Sequence, residues 1–187
     1  MKPETTLASV PRRLTAYIVD IGVAFIALLA LQAVLYPVNP LLRGSASMSS
    51  IMLHGWVTLT VTIPVMIFFA VSWSSSSGAT PGMRLLSIQV RSVSSQRVPF
   101  SRALLRTFIL LVPFEVNHAV LFYPEPIWDA ASAGFRSGFI GVYALLLVYL
   151  AATLWTPMRQ GPHDLAANTI VSKPMGGPTS AVKLRGG

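Results

Sequence analysis

Glu115 and His118 stand three residues apart in an otherwise apolar run, a spacing that sets both on one face of a helix. A carboxylate and an imidazole held at membrane depth can relay a proton or hold a cation. Pro113, just before them, cannot donate to the helix ladder and could break it, exposing carbonyl groups. Three other readings stay open. The pair could be a structural bond, or the segment could be re-entrant or lie closer to the outer surface. Arg13 and Asp20 are seven residues apart and share a helix face with Ala16 and Tyr17, their Cα atoms roughly 10 Å apart along the axis. An unpaired carboxylate at that depth costs about 2.5–3.5 kcal/mol on insertion scales, so Asp20 must be protonated, paired or facing water. Arg106 enters a later apolar segment at similar depth. Asp20 therefore either pairs with Arg106 and locks the helices together, or takes and releases a proton or cation. Asp164 follows Pro162 and reads as a turn or helix-cap residue, with His163 beside it a surface or turn histidine.

Other chemistries are excluded or unsupported. The chain has no Cys, hence no disulfide, thiolate nucleophile or thiolate-held zinc. No nucleophile elbow or glycine-rich nucleotide motif is present, and no enzyme is expected. Thr80-Pro81-Gly82 reads as a tight turn; a phosphate cradle would need more glycines and a Lys. One Glu and one His do not make a metal site. His54, the only further imidazole in the apolar regions, could share one only if its helix brought it close. Glu125 and Asp129 read as solvated loop charges. No cofactor is expected.

The elements that position these residues follow from composition. Of 187 residues, 53% are hydrophobic and 11% charged, against about 25% charged in soluble domains. Mean hydropathy is +0.63. Four apolar stretches of about twenty residues, each long enough to cross a bilayer, run over 14–36, 51–73, 103–123 and 138–158. The first is too long for the apolar core of a signal peptide, and Asp20 would interrupt such a core. Twelve of the fourteen basic residues fall in the N-terminal arm, around the loop after the second stretch, and in the C-terminal tail. By the positive-inside rule both termini are cytoplasmic. The same asymmetry accounts for the net charge of +8 without nucleic acid. Trp56, Trp73, Trp128 and Trp155 fall near segment ends or in loops, as interfacial aromatics do.

The loop between the second and third stretches carries its own pattern. Leu86, Ile88 and Val90 alternate with polar residues, the period of a half-buried strand. Arg97 and Val98 could begin a return strand, residues 168–172 another, and Ser101 could cap the third helix. The expected architecture is an all-α integral membrane protein: a four-transmembrane-helix bundle with a small cytoplasmic β-like surface element. Residues 1–13 form a cytoplasmic arm, 14–172 the transmembrane domain, and 173–187 a Gly- and Pro-rich tail expected to be disordered.

Three separated motifs carry a family resemblance. They are Arg13-Leu14-Thr15-Ala16-Tyr17-Ile18-Val19-Asp20; Gly78-Ala79-Thr80-Pro81-Gly82-Met83-Arg84-Leu85-Leu86 followed by Arg102-Ala103-Leu104-Leu105-Arg106; and His163-Asp164-Leu165-Ala166-Ala167-Asn168-Thr169-Ile170-Val171. The chain resembles the RDD family of bacterial multi-pass membrane proteins over about residues 12–172. Arg13, Asp20 and Asp164 match the three positions that name the family. Met83 stands where the family often has Lys, and Asn168 where it often has Gly. The resemblance implies a bacterial plasma membrane, with a suspected role in transport and, for some members, cation/proton exchange. It also raises the alternative that Asp164 pairs with Arg13 or Arg106. The expected function is a small transporter or cation/proton exchange component, working on protons or monovalent cations in the lipid bilayer, as a homo-oligomer or in a larger complex. The alternative is an accessory or scaffold subunit.

Overall fold

The computed structural model describes residues 6–38, 49–127 and 136–174. The start of the arm, the tail from residue 175, and the loop residues Arg43, Trp128 and Asp129 lie outside these described residues. Four helical rods are long and apolar enough to cross a membrane. The first, α1 (Val10–Leu35), has Pro11 in its opening turn, where a missing N–H breaks no ladder bond. The second is a continuous rod of α2 (Ser50–Val57), a wide turn at Thr58–Thr62 with π-type bonding, and α3 (Ile63–Ser74). Pro64 has no N–H to offer the carbonyl of Thr60, and the widened turn accommodates that defect.

The third rod, α5 (Phe100–Phe122), runs unbroken through Pro113, contrary to the expected interruption. The reason lies on α6 (Gly138–Trp155): the Tyr149 hydroxyl donates to the Ile109 carbonyl at 2.6 Å, the group that Pro113 leaves without a donor. The N-cap of α5 is Pro99, and Ser101 lies inside the first turn.

Two short helices and a two-stranded antiparallel sheet collect at one end of the rods. Helix α4 (Pro81–Leu85) follows Thr80, whose hydroxyl oxygen accepts the Met83 N–H. Strand β1 (Gln89–Ser92) starts later than the alternation suggested, because Ser87 takes a left-handed φ of 52°. Helix α7 (Pro162–Ala167) leads into β2 (Thr169–Ser172), which pairs with β1 so that Gln89 faces Ser172. The return strand expected at Arg97 does not form; β2 takes its place. Leu7 bridges to Ser172, and the Lys173 N–H donates to the Thr6 carbonyl at 2.9 Å.

Packing is uneven. Helices α3 and α5 form the central pair, α6 lies against α5, and α7 closes the sheet end of α5. Helix α1 seats mainly on α4 and has no comparable interface with α6, so the four rods are not a uniformly closed bundle. The main core lies at the sheet end and includes Ala16, Trp73, Met83, Val90, Val98 and Val171. Most of the side-chain surface of α1 and α6 is exposed and apolar. In α1 the buried side chains are Arg13, Ala16 and Asp20, and in α6 only Val142 is buried.

Candidate functional site

The sequence-derived candidates separate into two groups. The first lies at the sheet end. Arg106, fully buried in the opening turns of α5, donates through Nε to Asp164 Oδ1 at 2.9 Å, and its Nη2 is also 2.9 Å from that oxygen. Its guanidinium carbon sits 3.8 Å above the centre of the Trp73 ring, a cation–π contact. Nη2 also lies 3.4 Å from the Tyr17 hydroxyl. Asp164 is 2% exposed, so the turn reading with an exposed charge is corrected in favour of the pairing with Arg106. Thr169 Oγ1 donates to the same carboxylate at 3.0 Å. Burial alone would raise the pKa of Asp164, but Arg106 and His163 beside it hold it below the usual carboxylate range.

His163 is not a surface residue. It is 6% exposed, stacks on Tyr149 with ring centres 6.0 Å apart, and approaches Asp164 Oδ2 through Nε2 at 3.4 Å. Burial pushes its pKa down to about 4; Asp164 opposes this, and the positive charges of Arg106 and Arg13 add to it. Arg13, 3% exposed, donates to the carbonyls of Arg159 and Val171, the latter at 2.9 Å. It ties the start of α1 to β2 and makes no direct pair with Asp164.

Asp20 belongs to this end but not to the ion pair. It is fully buried, and accepts the Thr80 hydroxyl and the Gly82 N–H, the latter at 2.8 Å. The expected pairing with Arg106 is therefore corrected: among the described residues, Arg106 goes to Asp164, and Asp20 is held by neutral donors from α4 and its cap. Thr80-Pro81-Gly82 thus opens a helix and clamps Asp20. Sequence spacing gave no sign of this, because the partners lie sixty residues apart. A Cβ at Gly82 would lie 2.3 Å from the Ala16 carbonyl oxygen, which is backbone. Gly82→Ala should cost about 1–3 kcal/mol by forcing α4 off α1. The apparent melting temperature in detergent measures this, and an unaltered value would contradict the seating of α4.

The second group lies toward the other end. Glu115 sits seven residues before the last residue of α5, about 10 Å from that end. Its carboxylate gathers three side chains. Thr62 Oγ1 donates to Oε1, His118 Nδ1 lies 3.2 Å from Oε1, and His54 Nε2 lies 3.4 Å from Oε2. The Glu115–His118 pairing is as the spacing indicated. His54 joins from α2, and Thr62 from the wide turn, whose altered bonding sets its hydroxyl against α5. The His54 and His118 rings meet edge-on, 6.5 Å apart, and among the described residues no set of three ligands is arranged to hold a metal.

A cavity of about 230 Å³ runs from the second group toward the first, lying between α1, the wide turn, α3 and α5. Tyr17 marks one end, and Thr62, Glu115 and His118 the other. Its walls include Ile21, Phe25, Val65, Phe69, Leu111 and Phe114, so a polar cluster looks across an apolar space toward a hydroxyl in contact with Arg106. Asp20 does not line it.

Four membrane-length helices, with a buried Arg–Asp pair joining α5 to α7 at one end and a half-buried His–Glu–His cluster toward the other, define a helical membrane protein with ionisable groups between its helices. The RDD family model matches residues 7–168, and the chain belongs to that family. No curated protein and no solved structure matches it. The fold also accounts for one departure from the family pattern. Asn168 ends α7 at a left-handed φ of 52°, a conformation open to Asn as well as Gly. Met83, the other departure, is fully buried in the main core.

Proposed function

We propose that the chain is a small multi-pass transport component, moving protons or monovalent cations, with Glu115 as the carrying carboxylate. The observation behind this reading is that Glu115 lines the inter-helix cavity among apolar walls. A carboxylate there is neutralised by a proton, which it can exchange with its imidazole neighbours, or by a small cation taken up from the cavity and released back to it. Arg106 and Asp164 form the lock beyond Tyr17, and Asp20 holds α4 in place. The basic-residue asymmetry supports cytoplasmic termini in a bacterial plasma membrane, so ions would pass from the His54 side toward the Arg106 side or back. In proteoliposomes loaded with a pH-sensitive dye, Glu115→Gln should reduce cation-driven proton flux at least about tenfold. Asp20→Asn should retain the flux per folded protein. Equal flux from wild type and Glu115→Gln would remove the mechanism.

A second reading is that of an accessory subunit. The apolar surfaces of α1 and α6 could face lipid in either case, and in an accessory subunit part of them would pack on a larger membrane complex or a second copy. Stoichiometric recovery of a larger partner in mild detergent, with no flux from the isolated chain, would favour it.

A further inference from the structure

A second cavity, about 280 Å³, opens between α1, α5 and α6, where α1 and α6 flank it without a substantial interface of their own. Its walls are apolar: Leu14 from α1, Leu110 and Phe114 from α5, Leu146 and Leu150 from α6. Its foot is closed by Arg13, Tyr17, His163 and Asp164, of which Arg13, His163 and Asp164 are buried. The charges at this foot do not balance. Asp164 is engaged by Arg106, His163 is neutral at pH 7, and Arg13 has only carbonyl partners for its terminal nitrogens. Arg13 Nε is buried without any partner, and so is His163 Nδ1. A buried guanidinium with no counter-ion is costly, and an anion beside it would offset the cost. Arg13 is the fourth residue of α1, so it lies where a spanning helix passes the headgroup layer.

We propose that this cleft is a binding site for an anionic phospholipid. Its phosphate meets the Arg13 side of the foot, and one acyl chain lies along Leu110, Phe114 and Leu146. The gap between α1 and α6 gives the chain a lateral way in from the bilayer. The cleft shares the Tyr17 and Phe114 walls with the cavity that Glu115 lines, but its charged foot lies outside that cavity, and the proposal does not rest on the transport reading.

Leu150→Trp puts a fluorescent reporter on a cleft wall that the Glu115 cavity does not share. In phosphatidylcholine vesicles with a minority of brominated phosphatidylglycerol, its emission, corrected for the native tryptophans, should be quenched with about fivefold preference over brominated phosphatidylcholine at equal mole fraction. In detergent, phosphatidylglycerol should raise the melting temperature of the wild type. It should not raise that of Leu146→Trp, which fills the half-exposed mouth and spares the charged foot. Equal quenching by the two lipids would overturn the site. So would stabilisation by inorganic phosphate matching that by the lipid, which would make the ligand a free anion. Shielding of the reporter from both brominated lipids in a cross-linkable dimer would also overturn it, by assigning the cleft to a second copy.

Discussion

Asp164→Asn should lower the unfolding free energy by about 3–5 kcal/mol, because it strands the fully buried Arg106 without its counter-charge. Arg106→Met should cost a similar amount. It leaves the carboxylate with the Thr169 hydroxyl and two more distant neighbours, the Gly161 N–H and His163 Nε2, and no permanent positive charge in contact. The double variant should lose clearly less than the two single losses combined, since neither charge is then left alone. The cation–π contact with Trp73 disappears in both Arg106 variants and so cancels from the cycle. Denaturant unfolding in detergent micelles measures all four proteins. Simple additivity would show that the pair does not hold the sheet end together.

Stability should also fall by roughly 3 kcal/mol as the pH drops from 6.5 to about 4, on account of His163. The unfolded chain takes up this proton near pH 6.5, and the folded chain, with the ring buried, only near 4. Between those values the unfolded state binds more protons. The contribution is therefore complete above 6.5 and is lost as the pH falls toward 4. Asp164 acts in a lower window. Its folded pKa lies below 3.8, so its share is present above 3.8 and disappears as the pH falls through the folded value. Melting temperatures across this range separate the two. His163→Gln should flatten the limb between 6.5 and 4 and leave the more acidic limb in place. A variant that keeps the full slope would move the effect to another group.

The four rods were legible because length and apolarity alone define them, and their limits fall within a few residues of those expected. Local chemistry was legible too. The three-residue spacing of Glu115 and His118 placed them together, and residues 168–172 gave a strand. What the sequence concealed was which distant partner each buried polar group would find. Arg106 could satisfy Asp20 or Asp164, and only the seating of α7 against α5 decides for Asp164. Asp20 is satisfied by a hydroxyl and a backbone N–H, groups too common to stand out in a sequence. The Ile109 carbonyl that Pro113 leaves without a donor is satisfied by Tyr149, forty residues further along the chain on α6.

The stitching of Leu7 and Ala8 onto β2 bears on topology in any bilayer. The Ala8 N–H donates to the Val171 carbonyl at 3.0 Å, and the Thr6 carbonyl accepts from Lys173. Backbone segments joined in this way cannot lie on opposite leaflets. The number of crossings between them is therefore even, whichever way the protein is inserted. Reporter fusions placed before Thr6 and after Lys173 should emerge in the same compartment.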